Sequence, residues 1–341
     1  MVTLPAKPQS VAMTAPSSQS YLLLAIIILA WGGNYPLMRL AIDDMPPLAF
    51  TAIRLVGASC VLAVILVASF GRKALIPMSG ERVPLAIIGL FQVAAMLGLT
   101  IIGLTTVPPG RTVLLVYTMQ LWAVPLGVWL LRESVGVGKL AGTAVGFAGI
   151  MVFFNPAVID WRDPGMLLGS GLILLASLAW ALGSCLYRKQ VWKTGFMTQT
   201  LWQLLVSLVP ISALSLLLER DAAVHPSLQL ATIVLFNWFV PTALAMWCWA
   251  KVLFVMPAST AGQFLLLTPV VGFLLSAVFL DEPVSSTLVA SAALIATGIF
   301  LTMRSEAAQL RKRGVTYFHD CIGATACESA NARLKKDNIH E

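Results

Sequence analysis

Long apolar runs follow one another along most of the chain, and short polar stretches separate them. A helix that crosses a bilayer needs about 20 predominantly apolar residues. Windows of this kind cover residues 20–41, 46–69, 84–104, 108–131, 137–155, 166–189, 197–218, 230–255, 257–280 and 285–303. The pattern predicts an all-α integral membrane protein with ten transmembrane helices, surrounded by the lipid bilayer.

The composition agrees with this prediction, because 58% of the residues are hydrophobic and only 11% are charged, against roughly 25% charged residues in soluble domains. The net charge of +7 does not indicate a nucleic-acid partner, because the cations collect in alternate loops. With the N-terminus inside, the inner loops carry Arg72, Lys73, Arg82, Arg132, Lys139, Arg188, Lys189, Lys193 and Lys251, and the outer loops carry Arg39, Arg111, Arg162 and Arg220. The positive-inside rule then predicts a multi-pass protein of the cell (inner) membrane with both termini in the cytoplasm.

The chain repeats itself at a displacement of 149 positions. "LAWGGNYPLMR" falls on "LAWALGSCLYR" (178–188), so that Trp31 meets Trp180, and Glu133 likewise meets Glu282. Matches of Trp and Glu carry weight, because in a chain so rich in Leu and Ala matches of those two residues alone would mean little. Each half holds five predicted helices, an odd number, so the second half would enter the membrane from the opposite side. Inverted repeats of this kind are a construction that many secondary transporters use.

In these features the chain resembles the EamA-type members of the drug/metabolite transporter superfamily. The similarity lies in "AWGGNYPLMRLAI…PPLAFTAIR" near the N-terminus and in "LTPVVGFLLSAVFLDEPVS…GIFL" (267–301), and it covers approximately residues 20–303. It implies two five-helix repeats, at 21–155 and 166–303, and export as the direction of transport. One departure from the family pattern is Gln120, which stands where the second half has Pro269.

Polar and aromatic residues near the centres of the spans are candidates for a substrate pathway, because polar groups at membrane depth tend to face a cavity or the bundle interior. These candidates are Trp31, Asn34, Tyr35, Gln92, Tyr117, Gln120, Trp180, Ser184, Tyr187, Asn237, Trp238 and Gln263. In the repeat, Gln92 aligns with Pro241, and Gln120 aligns with Pro269. At both positions the first half offers a side-chain amide, and the second half offers a broken helix with a free carbonyl. Interhelical hydrogen bonds, worth about 0.6 kcal/mol on average, are the alternative explanation for any single residue.

A break is predicted within the first helix, where Gly32, Gly33 and Pro36 weaken it near mid-membrane. Backbone groups freed by such a break are tolerated where they line a cavity or are buried in protein. Trp31 and Asn34 stand beside this break and would supply a flat face and a polar group to a passing substrate. The alternative is a kink that serves packing alone.

Arg54 lies about eight residues inside the second predicted span, where a charge costs about 2.5–3.5 kcal/mol. Snorkelling, pairing with Asp43 or Asp44, and contact with a substrate carboxylate are the open interpretations; the family resemblance favours a structural role. No acidic residue lies at mid-membrane. Glu133 and Glu282 fall at helix ends, where capping explains them, so no proton-coupling residue is predicted.

Two polar tails flank the spans, a disordered one at 1–20 and a cytoplasmic one at 304–341. The first lacks the basic and short apolar regions of a signal peptide. In the second, the spacing of Cys321 and Cys327 does not fit the usual zinc pairs, so no metal or other cofactor is predicted. Gly138, Gly142 and Gly146 predict close packing of the fifth helix, within a monomer or across a homodimer.

The sequence therefore predicts a secondary transporter, not an enzyme, that exports small amphiphilic metabolites such as amino acids by alternating access. Aromatic faces along the path suit an ammonium group through cation–π attraction. A broad exporter of drugs and toxic cations is the main alternative. An intramembrane lipid-modifying enzyme is a further one, and it would need a nucleophile, an acid/base pair or a metal at interfacial depth.

Overall fold

A computed structural model describes residues 18–132, 135–153, 162–255, 264–265, 267–302, 304–305 and 308. Within these ranges the chain is helical and contains no β-strand. The first half comprises α1 (Ser18–Gly32, continued by Asn34–Asp44), α2 (Pro47–Phe70), α3 (Arg82–Gly89, Leu90–Ala95 and Met96–Gly103), α4 (Pro109–Tyr117, continued by Met119–Leu131) and α5 (Val137–Phe153). The second comprises α6 (Pro164–Lys189), α7 (Phe196–Leu218), α8 (Leu228–Trp238, Phe239–Leu244 and Ala245–Val255), α9 (Leu267–Phe279) and α10 (Ser286–Thr302).

In the described part of the chain, seven helices are long and apolar enough to cross a membrane: α1 to α4 and α6 to α8. The other three, α5, α9 and α10, are shorter apolar helices. Large apolar side chains such as Leu22, Val64 and Leu216 cover the outside of the bundle. Helices that are apolar on their outward faces as well as their inward ones suit a lipid environment.

The bundle has two ends, which we name by the glutamates found there. At the Glu282 end, α1 finishes close to the start of α8, since the His225 backbone N–H donates to the Asp44 carbonyl over 2.8 Å. At the Glu81 end, the connection before α3 meets the connection before α7, since the Met78 N–H donates to the Thr194 hydroxyl oxygen over 3.0 Å.

The two halves interleave in the bundle. The most extensive packing between helices joins α2 to α7, α3 to α6, α4 to α6 and to α9, and α1 to α8 and to α9. Every one of these pairs takes one helix from each half. Exchanging the halves turns α1–α8 into α6–α3 and α1–α9 into α6–α4, so the internal repeat of the sequence is also a symmetry of the packing.

Local irregularities obey the same symmetry. The two π-helical segments, Leu90–Ala95 in α3 and Phe239–Leu244 in α8, lie at equivalent positions of the repeat. Just after α4 and α9, the equivalent residues Arg132 and Asp281 adopt left-handed backbone angles, with φ of 54° and 49°. Pro241 accounts for the irregularity in α8, because proline lacks the N–H that a regular helix needs. The π segment of α3 contains no proline.

The predicted close packing of the fifth helix occurs within the chain, between α5 and α10. A Cβ atom added to Gly142 would lie 2.6 Å from the backbone nitrogen of Thr302. The Ser291 hydroxyl of α10 donates to the Gly149 carbonyl over 2.8 Å. Small residues therefore let these two helices approach closely, as they do in many membrane proteins.

In the described part of the chain, three glutamates join the halves by capping helix starts, and we call them the carboxylate caps. Each accepts hydrogen bonds from two consecutive backbone N–H groups of the opposite half, at or just before the start of a helix. They are Glu219 on Leu48 (2.7 Å) and Ala49 (2.8 Å), Glu282 on Gly110 (2.7 Å) and Arg111 (3.2 Å), and Glu81 on Lys193 (2.6 Å) and Thr194 (3.1 Å). The first N–H groups of a helix have no partner within it, and the helix dipole favours a negative charge there.

Candidate functional site: a cavity between the two halves

A cavity of about 380 Å³ lies between the two halves and is lined by α1, α2, α3, α4, α6, α7 and α8, together with Leu265. Its volume is within the range of small-molecule sites. Most of the lining is apolar or aromatic, and a few polar side chains converge on it. Pockets of this composition bind amphiphilic ligands, because the polar groups orient what the apolar walls hold.

Most of the residues that the sequence singled out lie in this lining. They are Trp31, Asn34, Tyr35, Arg54, Gln92, Tyr117, Gln120, Trp180, Tyr187 and Pro241. Ser184 is not part of the lining but accepts a hydrogen bond from the Gln92 amide over 3.2 Å. Trp31 and Trp180, which are equivalent in the repeat, thus meet at one cavity.

The remaining candidates lie elsewhere or outside the described residues. Asn237 is fully buried, and its Nδ2 donates to the Ile233 carbonyl of its own helix over 3.0 Å. Trp238 packs against Gly57 and donates to the Ile53 carbonyl over 3.1 Å, so it joins α8 to α2. Neither contributes to the cavity lining, and nor do Gly32, Gly33, Pro36 and Pro269. Gln263 and Glu133 lie outside the described residues.

The predicted break in the first helix is an interruption of one residue. Gly33 keeps right-handed angles (φ −69°, ψ −12°), and its N–H donates to the Leu29 carbonyl over 2.9 Å. The Gly33 N–H is therefore not one of the backbone groups that the break was expected to free. Gly32 serves close packing instead, since a Cβ atom there would lie 2.8 Å from the Thr268 carbonyl oxygen of α9.

The carbonyls beside the irregular segment of α8 are also satisfied within the protein. The Trp31 indole N–H donates to the Pro241 carbonyl over 2.9 Å, and the Thr242 hydroxyl donates to the Asn237 carbonyl over 3.1 Å. The expected free carbonyl near Pro241 is thus occupied by an indole. As a result, Trp31 is held with one edge on α8, and its ring lies beside Trp249, with 6.5 Å between the ring centroids.

Arg54 has neither of the ion pairs proposed for it. Asp43 pairs with Arg39 over 3.3 Å, and Asp44 accepts from the Ser227 hydroxyl over 2.6 Å. The Arg54 guanidinium instead lies with Nη1 3.6 Å from the Met38 sulfur, at the wall of the cavity. A charged group here faces a weak acceptor.

Several residues of the cavity lining were not predicted from the sequence. Met38, Thr100 and Trp249 line the cavity, but Met and Thr are common in apolar spans, and no local pattern distinguishes these two.

α4 is interrupted at Thr118, whose hydroxyl donates to the Leu115 carbonyl over 2.6 Å. This interruption lies between the lining residues Tyr117 and Met119.

The cavity extends unequally toward the two ends. At the Glu81 end its lining includes Tyr187, in the last turn of α6, and Phe196, the first residue of α7. Toward the Glu282 end it reaches Arg54 and Thr100, while the capping contacts of Glu219 and Glu282 lie beyond the lining. The two halves are thus tied together beyond the Arg54 side of the cavity.

The fold and the cavity define a class: a helical membrane protein in which two interleaved repeats enclose a cavity of the size of a small molecule. The chain belongs to the EamA-like transporter family, whose model matches residues 18–155 and 167–304. It is a transporter with two EamA repeats, so the family identified from the sequence motifs is confirmed, and a small molecule is its substrate.

Curated relatives cover most of the chain. It is 29% identical over 86% of its length to "Uncharacterized transporter YvbV" of Bacillus subtilis, of which 94% is covered. It is 25% identical over 84% of its length to the "Probable amino-acid metabolite efflux pump" of Escherichia coli, of which 95% is covered. A solved structure titled "Crystal structure of protein" shares the fold, with a TM-score of 0.61, 19% identity and coverage of 87% of this chain and 98% of that one.

Proposed function

We propose that this transporter exports small amphiphilic metabolites such as amino acids by alternating access between two inverted five-helix repeats. The observation that carries the proposal is the cavity between the halves, whose walls come from both and combine aromatic and apolar surface with a few polar groups. The name of the Escherichia coli relative supports amino acids as substrates and efflux as the direction.

The proposed topology has ten spans at the predicted positions, with the shorter helices α5, α9 and α10 crossing the membrane as well. The Glu81 end is the cytoplasmic one, because the helix bounds place Arg72, Lys73, Arg188, Lys189 and Lys193 there and cytoplasmic loops carry an excess of Lys and Arg. Both termini are then cytoplasmic. The repeats span 21–155 and 166–303, between a disordered tail at 1–20 and a polar tail at 304–341.

The conformation corresponds to a state in which the cavity is nearer the cytoplasm. Its lining continues to Tyr187 and Phe196 at the Glu81 end, while Glu219 and Glu282 hold the halves together at the other end. Alternating access then requires the contacts at the Glu282 end to separate when the cavity opens to the outside.

The residues proposed to contact the substrate are Trp31, Asn34, Tyr35, Gln92, Tyr117, Gln120, Trp180 and Tyr187. Ser184 would act through Gln92, whose amide it accepts from. Asn237 and Trp238 are assigned to packing, because each makes a contact away from the cavity. Gln263 stays a prediction.

The test uses the purified full-length chain in proteoliposomes and counterflow of labelled amino acids. Asn34→Ala should weaken the apparent affinity from twofold to about tenfold, since a hydrogen bond is worth about 0.5–1.5 kcal/mol. Asn237→Ala removes the same amide from a buried position off the cavity and should leave the affinity unchanged. Unaltered affinity in Asn34→Ala would contradict the assignment, and absence of counterflow with every amino acid would contradict the function.

A second candidate, a broad exporter of organic cations, is favoured by one observation: Trp31, Trp180 and Trp249 all face the cavity. Tryptophan faces attract cations by about 0.5–2 kcal/mol. Counterflow of tetraphenylphosphonium in the same vesicles distinguishes this candidate from the first.

A further inference from the structure

Arg54 brings an unpaired positive charge to the cavity. Among the described residues it forms no ion pair; Asp43 pairs with Arg39, and Asp44 accepts from the Ser227 hydroxyl. Its Nη1 lies 3.6 Å from the Met38 sulfur. A guanidinium offers five N–H donors in a fixed fork, and a thioether sulfur is a weak acceptor.

Two buried polar side chains in the same lining each have an oxygen atom without a hydrogen-bond partner. Asn34 is 4% exposed, and its Oδ1 has no hydrogen-bond partner, while its Nδ2 donates to the Met38 sulfur over 3.1 Å. Thr100 is 1% exposed, and its hydroxyl has no partner. Arg54 and Asn34 contact the same sulfur atom, so the two are neighbours at one site. Buried polar atoms are rarely left unpaired in proteins, which calls for an explanation here.

The described lining contains no Asp or Glu, so the charge of Arg54 is not balanced from within the cavity. A site with one cation and no anion attracts a carboxylate and disfavours a permanent cation. Most of the rest of the lining, including Trp31, Trp180 and Leu97, is apolar or aromatic. This surface would hold the apolar part of a ligand whose charged end lies at Arg54.

We propose that Arg54, Asn34 and Thr100 form the headgroup site of the transporter and that its substrates are amphiphiles with a carboxylate. The carboxylate binds the Arg54 guanidinium, whose geometry suits a bidentate contact. An ammonium group on the same ligand donates to Asn34 Oδ1 and to the Thr100 hydroxyl. This inference rests on the proposed function and deepens it: Arg54 is a specificity-determining residue, not a structural anchor.

The first experiment compares different ligands on the unaltered protein. Leucine, leucinamide and 4-methylpentanoate share one apolar side chain; the second lacks the carboxylate, and the third lacks the ammonium. Each compound is tested as a competitor in the counterflow of labelled amino acids by the full-length protein in proteoliposomes. Tetraphenylphosphonium serves as a separate cationic probe. Loss of the carboxylate should weaken competition roughly tenfold to a hundredfold, as expected for hydrogen bonds to a charged group. Loss of the ammonium should cost less.

Arg54→Met then removes the charge at similar length and should abolish the preference for leucine over leucinamide. Arg54→Lys should restore part of it. Arg39→Met, which removes a cation paired with Asp43 outside the cavity, is the matched control and should leave the preference unchanged. Gel filtration of each variant checks folding, and the ligand series on the unaltered protein needs no variant.

Equal competition by leucine and leucinamide would overturn the inference, as would an unchanged preference in Arg54→Met. Transport of tetraphenylphosphonium without competition by either carboxylate would overturn it too, while leaving a transporter. If none of the four compounds competes or moves, the proposed substrate class fails, and this inference fails with it.

Discussion

The carboxylate caps and the headgroup site both place charged groups away from water, but they differ in how those groups are satisfied. In the caps, each Glu282 oxygen accepts from a backbone N–H, and the Arg111 side chain approaches within 3.7 Å. In the headgroup site, Arg54 and Asn34 share one sulfur atom, and Asn34 Oδ1 has no partner.

On the proposed assignment, this difference separates polar groups that hold the fold from polar groups that bind the ligand. A buried charge with a full set of partners is costly to break, because its removal leaves the partners unsatisfied. A charge without partners, such as that of Arg54, contributes nothing that its removal would forfeit, and on the proposed assignment it serves the ligand. Stability and substrate preference should therefore respond in opposite ways to mutations in the two regions.

Glu282→Ala should give the largest effect. It leaves the N–H groups of Gly110 and Arg111 without this acceptor and removes the carboxylate beside the Arg111 side chain, so we expect a loss of about 3 kcal/mol of stability. Thermal unfolding of the purified protein measures the loss. Asp221→Ala, which removes an exposed carboxylate at the same end, is the control and should change little. A melting temperature equal to that of the parent would show that the cap is dispensable.

Arg54→Met should have a smaller effect of opposite sign. The substitution replaces an unpaired charge by an apolar side chain of similar length, so we expect stability to be unchanged or raised by about 1 kcal/mol. The same unfolding assay, in the absence of ligand, checks this. A loss comparable to that of Glu282→Ala would mean that Arg54 holds the fold and that the two regions do not differ as described.

Local pattern was enough to predict several of the helices. The window 46–69 corresponds to Pro47–Phe70 and the window 197–218 to Phe196–Leu218, because hydrophobicity and length alone define such segments. The repeat also predicted that Trp31 and Trp180 are equivalent, and both line the cavity. These inferences need no knowledge of which helices touch.

The direction of each side chain could not be predicted in the same way. Trp31 and Trp238 are both tryptophans at mid-span whose indoles donate to a carbonyl of another helix, yet only Trp31 lines the described cavity. The difference depends on which helices pack together, and packing follows from long-range contacts that a single sequence does not display. The same applies to Arg54, whose expected acidic partners were engaged by other residues.

The contribution of Glu282 to stability should depend on pH, and this is the smallest effect that we expect. Burial raises the pKa of the Glu282 carboxyl. The hydrogen bond from the Gly110 N–H, the charge of Arg111 and the hydrogen bond from the Arg111 N–H lower this pKa, but the effect of burial is larger. The folded protein then holds this proton more tightly than the unfolded chain, whose carboxyl has its ordinary pKa of about 4.3. The contribution to stability is therefore complete below the ordinary pKa and declines as pH rises toward the raised pKa. Measured as the difference in melting temperature between the parent and Glu282→Gln, it should fall with rising pH across that window and stay level above it. A difference that grows with pH would show that the hydrogen bonds to Glu282 outweigh its burial, and that this cap favours the ionised carboxylate.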